Sequence, residues 1–217
     1  MLTGENLAYW YLRLNGVLQI TNFIVHPRTR GSQRTDADIV GVRFPFRQER
    51  LFDDPSEVMK DDARITDLHL DEKPIVMIAE IKSGPCRING PWTEKTKKNV
   101  HRVLSSFGFV DSKEIGSVAD QLYSEGRAET QRLSFVSCLF GSRKSEDICR
   151  TLTGAQQFEW DSVAKWCIDR MRDYSRQKSQ HEQWDEGGKQ LYKIANCDIA
   201  EVRQQSVIAT FGVQSKR

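Results

Sequence analysis

The run of residues 75–82, with the sequence IVMIAEIK, limits the fold of this chain more than any other segment. Its apolar residues predict a buried strand, and an acid and a base stand at the end of it. Because alternate side chains of a strand share a face, Glu80 and Lys82 leave the sheet on the same side as Val76 and Ile78. A buried charge without a partner is costly, so this strand end needs another charge, a metal ion or a substrate.

A second predicted strand, residues 35–44, also carries acids ahead of its apolar residues. Alternation places Asp36 and Asp38 on the same face as Val40. We favour Asp38 as the functional acid because it adjoins the apolar run and is therefore better fixed by the core. We interpret Asp36 as a solvated residue at the start of the strand, and an auxiliary metal ligand is the alternative.

The spacing of an acid, any residue and a lysine occurs three times in this chain, at residues 71–73, 80–82 and 111–113. Only the second occurrence ends an apolar strand-like run and follows a strand that begins with an aspartate. The other two lie in polar, turn-like sequence. The simplest alternative for the second occurrence is an ion pair on the surface between neighbouring strands.

This pattern of Asp38, Glu80 and Lys82 resembles the motif of the PD-(D/E)XK, or restriction-endonuclease-like, nuclease superfamily, over residues 1–145. The resemblance implies an α/β fold with a mixed central β-sheet flanked by helices, and metal-dependent hydrolysis of phosphodiesters. It implies that Asp38, Glu80 and the backbone carbonyl of Ile81 hold Mg²⁺ or Mn²⁺, which prefer oxygen ligands. Lys82 would orient the attacking water, lower its pKa or stabilise the transition state, or would only pair with Glu80.

The first predicted helix, residues 4–14, contributes a fourth candidate. Thr3 can cap its start, and Asn15-Gly16 is a suitable end. Members of the superfamily often carry an acid on the first helix that leans toward the metal site, and Glu5 is the matching residue. The alternative is an acid that stabilises the helix dipole.

Residues 1–145 are predicted to form the nuclease-like core, and residues 146–217 a mainly helical extension packed on it. Apolar periodicity predicts further strands and helices, and a short helix inside the long polar segment 47–74, which joins the two acid-bearing strands. The further strands are predicted at residues 17–26, 133–140 and 207–211, and the helices at 56–60, 91–107, 161–178 and from 189 onward.

The net charge of the 217-residue chain is only +2, so an anionic substrate must be bound by local basic patches. One group of basic residues lies in the polar loop before Asp38, and the other on the predicted helix after Lys82. Both would contact phosphates without reading base sequence, and the alternative for each group is an ordinary solvated face. The candidates are Arg28, Arg30 and Arg34 in the loop, and Lys95 and Lys98, with Lys97 and Arg102, on the helix.

Five scattered cysteines without a CxxC pair predict reduced thiols in the cytoplasm. The first residues show no signal peptide, and no apolar run approaches the roughly 18 residues that span a membrane. No phosphate-binding loop, dinucleotide fingerprint or GxSxG elbow is present.

The residues and the resemblance that they carry together imply a metal-dependent nuclease that acts on DNA in restriction, defence or repair, with RNA as the alternative substrate. They do not distinguish endonuclease from exonuclease. Tight sequence specificity would require loops, a homodimer partner or another subunit. Two other readings are kept: a catalytically inactive protein of the same fold that binds nucleic acid or acts as a scaffolding subunit, and an unrelated α/β protein with coincidental charges. The intact set of Asp38, Glu80 and Lys82 argues against a decayed site.

Overall fold

A computed structural model describes residues 1–26, 35–51, 57–68 and 72–215. The chain forms a mixed α/β structure in which a central sheet lies between two layers of helices. The described strands are β1 (Leu18–Val25), β2 (Thr35–Arg43), β3 (Glu49–Arg50), β4 (Val58–Met59), β5 (Ile75–Ile81), β6 (Arg127–Glu129), β7 (Ser134–Gly141) and β8 (Gln156–Glu159). The described helices are α1 (Gly4–Leu14), α2 (Ala63–Thr66), α3 (Gly90–Thr93), α4 (Asn99–Phe107), α5 (Ile115–Glu125), α6 (Glu146–Thr151), α7 (Trp160–Asp173), α8 (Glu186–Ala195) and α9 (Arg203–Thr210).

The central sheet has the order β1-β2-β5-β7-β6, and β8 also pairs with β7. β2 is antiparallel to both β1 and β5, whereas β5 and β7 are parallel. β8 is parallel to β7 and β6 antiparallel to it, and β3 and β4 form a separate two-stranded sheet. The N-terminal end of β2 and the C-terminal end of β5 therefore meet at one edge of the sheet, which brings the two acid-bearing strand ends together.

Each face of the sheet is covered by its own apolar core. Ile75, Met77 and Ala79 of β5 pack into a cluster with apolar residues of α1, α7, α8 and α9. Val76 points the other way and packs with apolar residues of α4 and α5. The strand is buried on both faces, as expected for a continuous apolar run in a sheet with helices on both sides.

The predicted helix at residues 4–14 and the predicted strands at 17–26, 35–44, 75–82 and 133–140 are all present, within one or two residues at each end. None of the helices within the described ranges is long and apolar enough to cross a membrane.

The short helix predicted at residues 56–60 is wrong. Residues 58–59 form β4, which pairs with β3. The helix of this segment, α2, begins later, at Ala63, because the side chain of Asp62 caps it by accepting a hydrogen bond from the backbone N–H of Arg64.

The described part of segment 47–74 lies away from the acid-bearing strand ends, not beside them. The segment leaves the C-terminal end of β2 and enters the N-terminal end of β5, and in an antiparallel pair both ends lie at the opposite edge from Asp38 and Glu80. Asp61 is bound there to the buried side chain of Arg43 at 2.8 Å. The described part of the segment is thus anchored by ion pairs.

The single helix predicted for residues 91–107 is broken. α3 is followed by a 3-10 turn at Lys95–Lys97 and then by α4. Lys98 lies between the 3-10 turn and α4, and its φ of 52° is in the left-handed region. The chain also forms α5 and β6, which were not among the predicted elements, although Ile115, Val118 and Leu122 have the spacing of one apolar face of a helix.

The last two segments of the chain also differ from expectation. β8 joins the central sheet through β7, so residues after 145 contribute a strand as well as helices. The final strand predicted at 207–211 is wrong, because these residues lie in α9 and the turn after it. Val207 and Phe211 are four residues apart and both fully buried, which is the spacing of one face of a helix.

Candidate active site

At the end of β5, the ammonium group of Lys82 contacts two oxygen acceptors. The Lys82 Nζ donates hydrogen bonds to Glu80 Oε1 and, at 3.1 Å, to the backbone carbonyl oxygen of Ile81. Glu80 is only 7% exposed, and its side chain points into the layer of α4 and α5. The two oxygens that the resemblance assigns to a metal ion therefore converge on one positive group.

Asp38 joins β2 to β5 at the same edge of the sheet. The register of β2 and β5 ends at the pair of Ile39 and Ala79. Just past this pair, Asp38 Oδ2 accepts a hydrogen bond from the backbone N–H of Ile81 at 2.5 Å. The predicted alternation of β2 is interrupted here. Ala37 packs with Val40 on the side of α4 and α5, although alternation would place it with Ile39 on the other side.

The carboxyl group of Glu80 is in electrostatic contact with those of both aspartates of β2. Burial raises the pKa of Glu80 most strongly, the hydrogen bond from Lys82 lowers it, and the negative charges of Asp38 and Asp36 raise it again, to about 7. Asp38 also has a raised pKa, because burial outweighs the hydrogen bond from Ile81 N–H and the charge of Lys82. The ammonium group of Lys82 thus compensates only part of the negative charge.

Glu5 reaches the same group of charges from the first turn of α1. Burial raises the pKa of its carboxyl group, the charges of Asp38 and Asp36 raise it further, and Lys82 opposes the shift. Asp36, which the sequence suggested was solvated, is half-buried and acts on Glu5, Asp38 and Glu80. Asp38, Glu80 and Lys82 thus lie at one edge of the sheet, and Glu5 interacts electrostatically with Asp38 and Lys82.

Elements far along the sequence hold the end of β5 in place. The indole N–H of Trp160, the first residue of α7, donates to the carbonyl oxygen of Lys82 at 2.8 Å. The backbone N–H of Lys82 donates to the carbonyl oxygen of Phe140 at 3.0 Å. Gly4 of α1 packs closely against the same strand end, because a Cβ on it would stand 3.4 Å from Ile81 Cγ2. Sequence reasoning missed Trp160, because nothing local marks a tryptophan as a hydrogen-bond donor to a distant strand.

The donor set fits a hard divalent cation in its chemistry. Carboxylate oxygens of Asp38 and Glu80 and the carbonyl oxygen of Ile81 are the ligands that Mg²⁺ and Mn²⁺ prefer. An excess of negative charge remains beside them. Within the described ranges, however, no three histidine, cysteine, aspartate or glutamate side chains are arranged as a group that could hold a metal ion. A cation at this site would have to take the place that the Lys82 ammonium group occupies.

A cavity of about 280 Å³ opens beside Glu80 on the side of α4 and α5. Its walls are mostly apolar and include Trp92 and Leu139. The indole Nε1 of Trp92 is buried and has no hydrogen-bond partner in the described part of the chain.

The predicted nucleic-acid-binding residues divide into three groups. Arg28, Arg30 and Arg34 lie outside the described residues. Lys95 is exposed and forms an ion pair with Asp120 at 3.7 Å. Lys98 is also exposed, and within the described ranges no carboxylate pairs with it.

Comparison of the chain with protein-family models, with curated proteins and with solved structures gives no match.

Proposed function

We propose that this chain is a divalent-metal-dependent nuclease that hydrolyses phosphodiester bonds of DNA. The observation that carries the proposal is the convergence of Glu80 Oε1 and the Ile81 carbonyl oxygen on one cationic group, with Asp38 bound to the N–H of the same Ile81. The order of a helix, antiparallel strands, further helices and a parallel strand also supports it. This is the arrangement that the resemblance to PD-(D/E)XK nucleases implies.

The proposed chemistry assigns a task to each side chain. Asp38, Glu80 and the Ile81 carbonyl would hold Mg²⁺ or Mn²⁺, with Glu5 as a further acid beside them, and the metal would neutralise charge on the phosphoryl oxygens. Lys82 would turn its ammonium group from Glu80 to the attacking water or to the negative charge that develops on the phosphate. The Trp160 indole would keep the backbone of Lys82 fixed during this exchange.

A catalytically inactive nuclease-fold protein that binds nucleic acid or acts as a scaffold is the second candidate. One specific observation favours it: the principal charges at the strand ends already have partners inside the protein. Asp38 is bound to Ile81 N–H and Lys82 to Glu80. In that case the cluster would be structural, and the acids would bind no cation.

The deciding experiment compares cleavage by the natural protein and by Lys82→Ala, with magnesium, manganese or EDTA, on linear, circular and single-stranded DNA and on RNA. Lys113→Ala is the matched control. Lys113 is exposed and is the lysine of the same acid, any residue, lysine spacing at residues 111–113. We expect metal-dependent cleavage that falls at least ~100-fold in Lys82→Ala and is unchanged in Lys113→Ala. Equal cleavage by all three proteins would contradict the assignment of this site, and no cleavage by any of them would favour the inactive alternative.

A further inference from the structure

A groove of about 480 Å³ lies between the C-terminal end of β1 and the outer face of α4. Four of the side chains that line it can carry positive charge. They are His26 at the end of β1, and Lys98, His101 and Arg102 at the start of α4.

These basic side chains lack the partners that surface cations of this chain usually have. No hydrogen bond or ion pair to any of the four side chains is present in the described part of the chain, whereas the neighbouring Lys95 and Lys97 both pair with carboxylates. Two of their nitrogens, His101 Nδ1 and Arg102 Nη1, are buried and have no hydrogen-bond partner in the described residues. Arg102 Nη1 can only donate, and a buried donor without an acceptor is costly, which favours an anion in the groove.

The charges also repel one another. Burial lowers the pKa of His101 most, the charge of Lys98 lowers it further, and the exposed carboxylate of Asp120 opposes the shift. Lys98 in addition holds a left-handed backbone conformation, with φ of 52°, at the position just before α4. Such a conformation is unfavourable for a residue with a side chain, which is consistent with a position occupied for its charge.

The position of the groove connects it to the candidate active site. Ile24 lines the groove and pairs across β1 and β2 with Asp36. Asp36 in turn acts electrostatically on Asp38 and Glu80. The groove therefore opens at the same edge of the sheet as the acids. Phe23 and Ile115 add apolar surface to its wall, against which a sugar can pack.

We propose that this groove binds a phosphodiester of the nucleic-acid strand next to the one that is cleaved, with Lys98, His101 and Arg102 as its ligands. The inference rests on the proposed function, since it takes the same nucleic acid as its ligand. Of the basic residues predicted after Lys82, the proposal keeps Lys98 and Arg102. It leaves out Lys95 and Lys97, because these two lysines form ion pairs with carboxylates.

The test measures binding of a short fluorescein-labelled DNA duplex and of the matching single strand by anisotropy, in EDTA, over a series of salt concentrations. The variants are Arg102→Gln, which removes the charge and keeps a polar side chain, and Lys98→Gly, which removes the charge and suits the left-handed backbone. Lys165→Gln is the control, because Lys165 is an exposed lysine on α7, paired with Asp169. Thermal melting checks that each variant is folded.

We expect each groove variant to bind roughly tenfold more weakly and to lose about one unit of the slope of log affinity against log salt. The Lys165→Gln protein should bind like the natural one. Unchanged affinity in both groove variants, or a loss of affinity with an unchanged salt slope, would overturn the proposal.

Inorganic phosphate, added at matched ionic strength, distinguishes a strand site from a site for free phosphate. We expect it to displace the duplex no better than chloride does. Displacement by phosphate that disappears in the Arg102→Gln protein would instead assign the groove to free phosphate and overturn the proposal.

The same preparations are assayed for cleavage beside Lys82→Ala, so that the two proposals can fail separately. Weakened binding in the groove variants, together with no cleavage by the natural protein, would contradict the proposed nuclease activity but not the proposed binding role of the groove. Cleavage that depends on Lys82, together with unchanged binding in the groove variants, would contradict the proposed binding role of the groove but not the proposed nuclease activity.

Discussion

Single residues at the end of β5 make the free energy of unfolding depend on pH. The pKa of Glu80 is about 7 in the folded protein, whereas its ordinary value is 4.5. Between these values the folded protein holds a proton that the unfolded chain has released. The contribution of Glu80 to stability is therefore fully present below pH ~4.5 and is lost as the pH rises through ~7.

We predict that Glu80→Gln removes this loss. In EDTA, the variant should lose less stability than the natural protein between pH 5 and pH 8, by at most about 3 kcal/mol. Urea unfolding at both pH values measures the difference. Glu114→Gln, which changes an exposed acid at the start of α5, serves as the control. An identical pH dependence in the natural and Glu80→Gln proteins would contradict the raised pKa.

A second prediction separates the structural role of Asp38 from a role in metal binding. Asp38→Asn keeps an oxygen that can accept the hydrogen bond from Ile81 N–H, so the free energy of unfolding should change by less than about 1 kcal/mol. Asp38→Ala leaves that N–H without its acceptor and should cost about 1–3 kcal/mol.

Metal binding should respond differently to the same two variants. Magnesium or manganese should raise the melting temperature of the natural protein, and both Asp38→Asn and Asp38→Ala should lose most of that rise, since both lack the negative charge. Differential scanning fluorimetry with and without each metal checks this. A full metal-dependent rise in Asp38→Asn would argue that Asp38 serves only to join the two strands.

At the scale of elements, α7 holds the end of β5 in place through its first residue. Trp160 is fully buried and donates its indole N–H to the carbonyl oxygen of Lys82. We predict that Trp160→Phe costs about 1–3 kcal/mol of stability and lowers metal-dependent cleavage in protein that is still fully folded. Trp166→Phe, a similar change on the same helix, removes no hydrogen bond to Lys82 and should leave cleavage unchanged. Loss of stability with unaltered cleavage in Trp160→Phe would mean that the contact supports the fold alone.

The elements also differ in how well the sequence predicts them. β5 and β7 are apolar runs whose type and ends are clear from the sequence, and both appear close to their predicted bounds. α5 was missed although its apolar residues Ile115, Val118 and Leu122 recur at the spacing of an amphipathic helix, so the sequence did contain the signal for it. The strand predicted at 207–211 was wrong because a short apolar run has no clear period, and only its packing against α7 makes it a helix.

At the scale of the whole molecule, one buried cation connects segment 47–74 to the helical extension. Arg170 of α7 is 2% exposed and contacts Glu49 at 3.0 Å and the carbonyl oxygen of Lys60 at 2.8 Å. Asp61 lies 3.7 Å from the same guanidinium group. Without Arg170, Glu49 keeps Lys178 and Arg47 as partners, so the loss removes the hydrogen bonds of the guanidinium group without leaving a lone buried charge.

We therefore predict that Arg170→Leu destabilises the protein by about 1–3 kcal/mol, whereas Arg172→Leu on the exposed side of the same helix changes stability by less than about 0.5 kcal/mol. Urea unfolding followed by tryptophan fluorescence gives both values. A loss below about 1 kcal/mol in Arg170→Leu would show that water enters the network and solvates its acids.

Whole-molecule contacts of this kind could not be predicted from the sequence. Arg170 and Glu49 are 121 residues apart, and each looks like an ordinary surface charge in its own segment. The predicted boundary at residue 145 follows a change of pattern along the chain. The tertiary core crosses that boundary, because Phe140 of β7 packs with Phe158 of β8 and Trp160 of α7.

The sequence by itself determined the strand that carries Glu80 and Lys82 and the nearness of these two charges, because alternation along a strand is a local property of the backbone. It also singled out Asp38 and Glu5 as acids at the starts of their elements. Only the tertiary structure decided that Asp38 bonds to Ile81, that Glu5 joins the same charges and that Trp160 holds Lys82. These contacts depend on strand register and helix packing, which are set by the burial of residues far apart in the chain.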